Sequence, residues 1–84
     1  MSSSVPSDVG IADLDRQIID AHAEGDGPRL AALYAEAARF FIAAQEFDRA
    51  AFLLVNAYVW ALEAGEESVA SYAHSVLVEM GREQ

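Results

Sequence analysis

The stretch "DAHAEGD", residues 20 to 26, holds the densest set of groups able to do chemistry: His22, with Asp20, Glu24 and Asp26 close by in sequence. An imidazole with carboxylates can ligate a divalent metal or move a proton. On a helix, however, residues two apart point in different directions, so His22 and Glu24 do not converge as paired ligands. A histidine near a helix C-terminus is equally accounted for by the helix dipole. His74 has no strong acid or nucleophile beside it in sequence. The seven serines form no nucleophile elbow, no glycine-rich phosphate loop follows an apolar strand, and the carboxylates define no pocket for acid–base work. Tyr58 and Trp60 have rings able to hold a small apolar ligand, although helix packing explains aromatics more often. The expectation is a chain with no catalytic residue, no metal site and no cofactor.

Charge and size narrow the remaining classes. The 84 residues are 54% hydrophobic, enough for one modest core, and carry 14 acids against five basic residues, all arginine, for a formal charge of −9. Such a field repels a polyanion, so nucleic acid is not an expected partner, while a basic peptide or protein face is compatible with it. Cysteine is absent, which removes disulfides and thiolate chemistry. "MSSSVPSDVG" lacks a basic region followed by a continuous apolar one, so it does not read as a secretory signal. The most apolar run, "AAFLLVNAYVWAL", is too short to cross a bilayer of roughly 30 Å. A cytoplasmic protein without a membrane span is the expectation.

The elements that must carry these residues are helices. Residues 1 to 7 read as a flexible N-terminal tail, and residues 8 to 84 as a single helical domain. Ile11, Leu14, Ile18 and Ala21 recur at three or four residues and predict a first helix over about 8 to 24, with Ser7 or Asp8 as its cap. Gly25 ends it, Asp26 or Gly27 caps the next, and Pro28 suits a first helical turn. A second helix over about 28 to 45 presents Leu30, Leu33, Tyr34, Ala37, Phe41 and Ala44 along one face. The third, about 48 to 64, is apolar almost all round and must be covered on two or more sides. Gly65 separates it from a fourth that closes at Gly81. Short connections between four helices predict antiparallel neighbours in an all-α fold, either a helical-hairpin stack or an up-down four-helix bundle.

"QEFDRAAF", residues 45 to 52, marks the corner between the second and third helices. With its flanks, "ALYAEAARFFIAAQEFDRAAFLLVNAYVWAL" resembles a tetratricopeptide repeat. Tyr34, Ala37, Ala38 and Phe41 match the first helix of such a hairpin, Phe47 and Ala50 its turn, and Leu54 and Ala57 its second helix. A partial second copy places Ala73 on Ala37 and Leu77 on Phe41, so the resemblance covers about residues 30 to 81. It implies that Phe47 and Ala50 lock the corner's two arms and that Phe41 fills the hairpin core. It also implies a concave protein- or peptide-binding face of Ala32, Ala35, Arg39, Ile42, Ala43, Ser68, Ser71, Ser75, Val78 and Glu79. Gln45 stands where the family has a turn glycine. Ala35, Ser71 and Ser75 stand where its carboxylate-binding members carry lysine and asparagine.

A second surface follows from projecting the third helix at 100° per residue. Phe52, Val59 and Trp60 then fall beside Asn56 and Glu63, on the side expected to face solvent. Apolar groups there need a cover from another helix or another chain, which implies homodimerisation or docking on a larger protein. The resulting reading is a noncatalytic protein–protein interaction or assembly module. The alternative is a small-ligand-binding regulatory bundle with a cavity between the second, third and fourth helices.

Overall fold

The computed structural model describes residues 7–81. Four helices account for most of them: α1 Ser7–Glu24, α2 Gly27–Ala43, α3 Phe47–Ala64 and α4 Glu67–Glu79, with no strand among the described residues. Residues 1 to 6 of the expected tail, and residues 82 to 84, lie outside the described residues. Ser7, assigned to that tail, already opens α1.

The architecture is a hairpin stack. α2 and α3 form the central pair, α4 packs on α3 and reaches α2, and α1 lies along α2 with no backbone approach within 8 Å of α3 or α4. A closed up-down bundle would bring the first helix beside the fourth, so the open stack is the arrangement realised here. Its extents are 41 × 33 × 17 Å. The shortest extent accommodates two packed layers of helix, with Cα atoms about 2.3 Å from each axis and axes about 8 to 10 Å apart, so every helix keeps an outer side.

Three corners share one geometry. Gly25, Gln45 and Gly65 all have left-handed backbones, with φ of 67°, 62° and 74°. The acidic residues that follow, Asp26, Glu46 and Glu66, cap the next helices with nearly equal angles, φ between −90° and −96°. Each corner closes with paired hydrogen bonds, as where the Glu46 N–H donates to the Phe41 carbonyl and the Gln45 N–H to that of Ile42, both at 2.9 Å. The structural period is therefore 20 residues, one helix and its corner. Gln45 takes the left-handed conformation without glycine's freedom, a strain of about 1 to 2 kcal/mol for an L-residue. This ends α2 at Ala43, two residues before the expected boundary.

Alanine dominates the interior. Ala21, Ala31, Ala38, Ala50, Ala57 and Ala73 are completely buried, and Leu30 and Leu54 are the largest side chains to be so. Small side chains let helix axes approach at the short end of the usual 8 to 10 Å. The consequence is a thin core with little apolar volume per residue. No buried side-chain nitrogen or oxygen among the described residues lacks a hydrogen-bond partner.

Two expectations drawn from the repeat resemblance change here. Ala50 is buried between the arms of the corner, but Phe47 is 45% exposed and does not lock them. The tie across the corner is made instead by Arg49, whose guanidinium lies 5.1 Å from the Phe41 ring centroid and 3.8 Å from the Glu46 carboxylate. Phe41 is only partly buried. It lines an apolar groove with Ile11, Leu14, Ile18, Ala37 and Leu53, and its ring meets Phe40 edge-on at 5.0 Å. It therefore sits at the margin of the α2–α3 hairpin rather than filling its core, because α1 leaves that side open.

Candidate functional site

The third helix has two sides built on opposite rules. Its inward line is Ala50, Leu54, Ala57 and Ala61, with exposures of 0, 0, 0 and 1%. Its outward line is Phe52, Val55, Val59 and Leu62, with exposures of 67, 47, 46 and 58%. Steps of three, four and three residues keep the outward four on one stripe, the spacing of a two-helix packing seam. An amphipathic helix ordinarily buries its large side chains, and α3 turns them out. Placing alanines inward lets α2 and α4 come close; the large groups are left about half or more exposed, with Phe52 beside the α2–α3 corner and Leu62 at the edge of a groove against α4.

Of the residues expected to form an association surface, Phe52 and Val59 lie on this stripe, and Asn56 and Glu63 flank it. The Asn56 amide donates to the Phe52 carbonyl at 2.9 Å, one turn back on its own helix. Trp60 does not belong to the stripe. Its ring turns toward α1 and α2, with its centroid 5.6 Å from that of His22 and its Cε3 3.7 Å from where a Cβ on Gly27 would stand. It packs against Ala21, Leu30 and Leu33 and so belongs to the interior. Val55 and Leu62 complete the stripe in its place. The 52, 55, 59, 62 spacing in the sequence is the signal for them, whereas the polar residues Asn56 and Glu63 mark a solvent side rotated toward Trp60.

Of the residues expected to form a concave face, Ala35 and Ile42 lie against the core and the rest are exposed. Ala35 is buried at 5% exposure within the core that also holds Leu54 and Leu77, and Ile42 packs against that core. Ser71 lines a groove of about 500 Å³ between α3 and α4, together with Tyr58, Leu62, Glu67 and His74. No α2 residue lines that groove. Ala32, Arg39, Ala43, Ser68, Ser75 and Glu79 are exposed, as is Val78 at 46%. α2 and α4 also meet on this side, where the Arg39 guanidinium lies 5.7 Å from the Tyr72 ring centroid.

The chemistry-bearing residues of the sequence are engaged in packing. His22 Nε2 lies 3.0 Å from the Tyr34 hydroxyl, and its ring meets both Tyr34 and Trp60 edge-on. Burial, and secondarily the Asp15 carboxylate, hold the Tyr34 phenol above its ordinary pKa. His74 stacks at a tilt on Tyr58, with centroids 5.9 Å apart. Among the described residues no three His, Asp or Glu side chains converge as a metal site, and no helix is long and apolar enough to cross a membrane.

No family model matches the chain, and neither a curated protein nor a solved structure matches it. The geometry of α3 is thus the main support for a functional reading.

Proposed function

We propose that the chain is a noncatalytic association module, a tetratricopeptide-like hairpin stack whose outer α3 face is its protein-binding surface. The observation carrying this reading is the exposure of four large apolar side chains on one stripe, opposite an interior line of alanines. Apolar surface left in water forgoes about 25 cal/mol for every Å² that a partner would cover. Soluble monomers seldom leave a contiguous patch of more than a few hundred Å² uncovered.

The test is the double substitution Phe52→Ser with Leu62→Ser. Light-scattering mass and affinity capture from the native cell should show association for the unaltered chain and its loss in the variant, with helicity by circular dichroism retained. A chain that is monomeric, captures no protein and melts when these two residues become polar would sink the proposal, because the stripe would then be part of the interior.

A further inference from the structure

The outer stripe carries a flank whose charge order specifies a partner. Arg49, Asn56 and Glu63 follow one another at seven-residue intervals along its edge. All three therefore occupy the same position beside the seam, ordered base, amide, acid. Resting on the association reading above, we infer that the partner is a second copy of this chain, and that two α3 helices pair antiparallel about a two-fold axis at the level of Ala57.

The register follows from the stripe. Antiparallel packing places Phe52 against Leu62 of the second copy and Val55 against Val59, and symmetry repeats both pairs to give four layers. A two-fold perpendicular to the helices brings each flank against the same flank of the other copy. At a rise of about 1.5 Å per residue, Arg49 then falls within about 3 Å, along the axis, of Glu63 in the second copy, and the two Asn56 side chains meet near the axis with a similar offset. The opposite flank carries Ala51, Tyr58 and Gly65, with the Glu67 carboxylate of α4 in the groove beside it, and Asp48, one turn before Phe52, faces the acidic corner at Glu66 of the second copy, so the two Arg49–Glu63 attractions act against these carboxylates. Parallel pairing would set Arg49, Asn56 and Glu63 against Ala51, Tyr58 and Gly65 and leave the charge order without a purpose.

Arg49 must exchange its stacking on Phe41 and its contact with Glu46 for the Glu63 of the second copy. Its side chain is 63% exposed and its 3.8 Å ion pair with Glu46 is a surface contact, while no ion pair holds Glu63 among the described residues. The apolar seam from Phe52 to Leu62 is only about 15 Å long, so the dimer belongs at the small end of specific interfaces, below roughly 1,200 Å² in total, and dissociates on dilution. The formal charge of −9 on each copy opposes association at low salt. Measurement therefore belongs near 0.15 M ionic strength, where the Debye length is about 8 Å.

Sedimentation equilibrium from about 1 μM to about 1 mM should show a monomer–dimer equilibrium. Glu63→Arg, and separately Arg49→Glu, should each raise the dissociation constant about tenfold, since each turns two attractions into two repulsions. The double exchange Arg49→Glu with Glu63→Arg should bring it back to within about threefold. Arg49→Glu also removes the stacking on Phe41, so helicity is checked alongside. A second readout is independent of charge: the chain has no cysteine. Asn56→Cys should be joined efficiently between copies by a short bifunctional thiol reagent, whereas Glu63→Cys, about 18 Å from its equivalent along the axis, should not. A monomer throughout the range overturns self-pairing; the association reading survives that result if a different protein is captured and lost with Phe52→Ser and Leu62→Ser. A dimer indifferent to charge reversal, or one in which both cysteines link equally, overturns the antiparallel register. A dimer that survives Phe52→Ser with Leu62→Ser overturns both readings.

Discussion

The inner and outer faces of α3 are built from the same class of residue and do different work. Inside, alanine brings helix axes together around the wholly buried Leu54, with Leu53, Tyr58 and Trp60 packed at the margins of the core. Outside, Phe52, Val55, Val59 and Leu62 form a ridge whose side chains are about half or more exposed. Hydrophobicity alone does not say which face of such a helix is core; side-chain volume does. Where α2 and α4 close on α3 the residues are small, which is what lets the helices approach, and the four stripe residues lie outside that contact.

Leu54→Ala is the strongest way to test the inner half of that contrast. It empties the largest fully buried position of the α2–α3 pair and should cost about 2 to 5 kcal/mol in a urea titration. For a chain of this length that is a large share of a total stability of about 4 to 13 kcal/mol. Next comes Ala57→Leu, which overfills a site where the helices are close and should cost about 1 to 3 kcal/mol. Unaltered stability in this variant would mean that alanine there is incidental, and the inward line would lose its explanation.

A smaller effect, of opposite sign, is expected at the corner that fixes which side of α3 turns inward. Gln45→Gly relieves the left-handed strain at φ 62° and should raise the melting free energy by about 0.5 to 1 kcal/mol, after allowance for glycine's freedom in the unfolded chain. Association through α3 should be unchanged. Smallest of all is the outer face examined as a stability element. Measured on the dissociated chain, Phe52→Ser and Leu62→Ser should each shift unfolding by no more than about 0.5 kcal/mol. A loss of several kcal/mol in the monomer would erase the distinction between the two faces.

Much of this was legible in the chain. The recurrence of apolar residues at three and four positions, together with Gly25 and Gly65, located all four helices to within about two residues, because local backbone preference and helical period are properties of short segments. The corner at 45 to 47 was legible too, though its use of Gln45 in a glycine conformation was not, since nothing in the residue type announces a positive φ. Surfaces were harder. The helical projection exposes Phe52 and Val59 and puts Trp60 on the same side, whereas in the fold Trp60 turns inward and Val55 and Leu62 complete the outer stripe.

The sequence by itself determined an all-helical chain with an apolar third helix and a surplus of negative charge. These follow from composition and from periods of a few residues, which tertiary contacts do not alter. Only the tertiary structure decided which way α3 is rotated. That choice depends on where α1, α2 and α4 lie in space: α1 and α2 draw Trp60 inward beside Gly27 and His22, α2 and α4 close on the alanine line, and Leu62 is left more than half exposed at the edge of the α3–α4 groove.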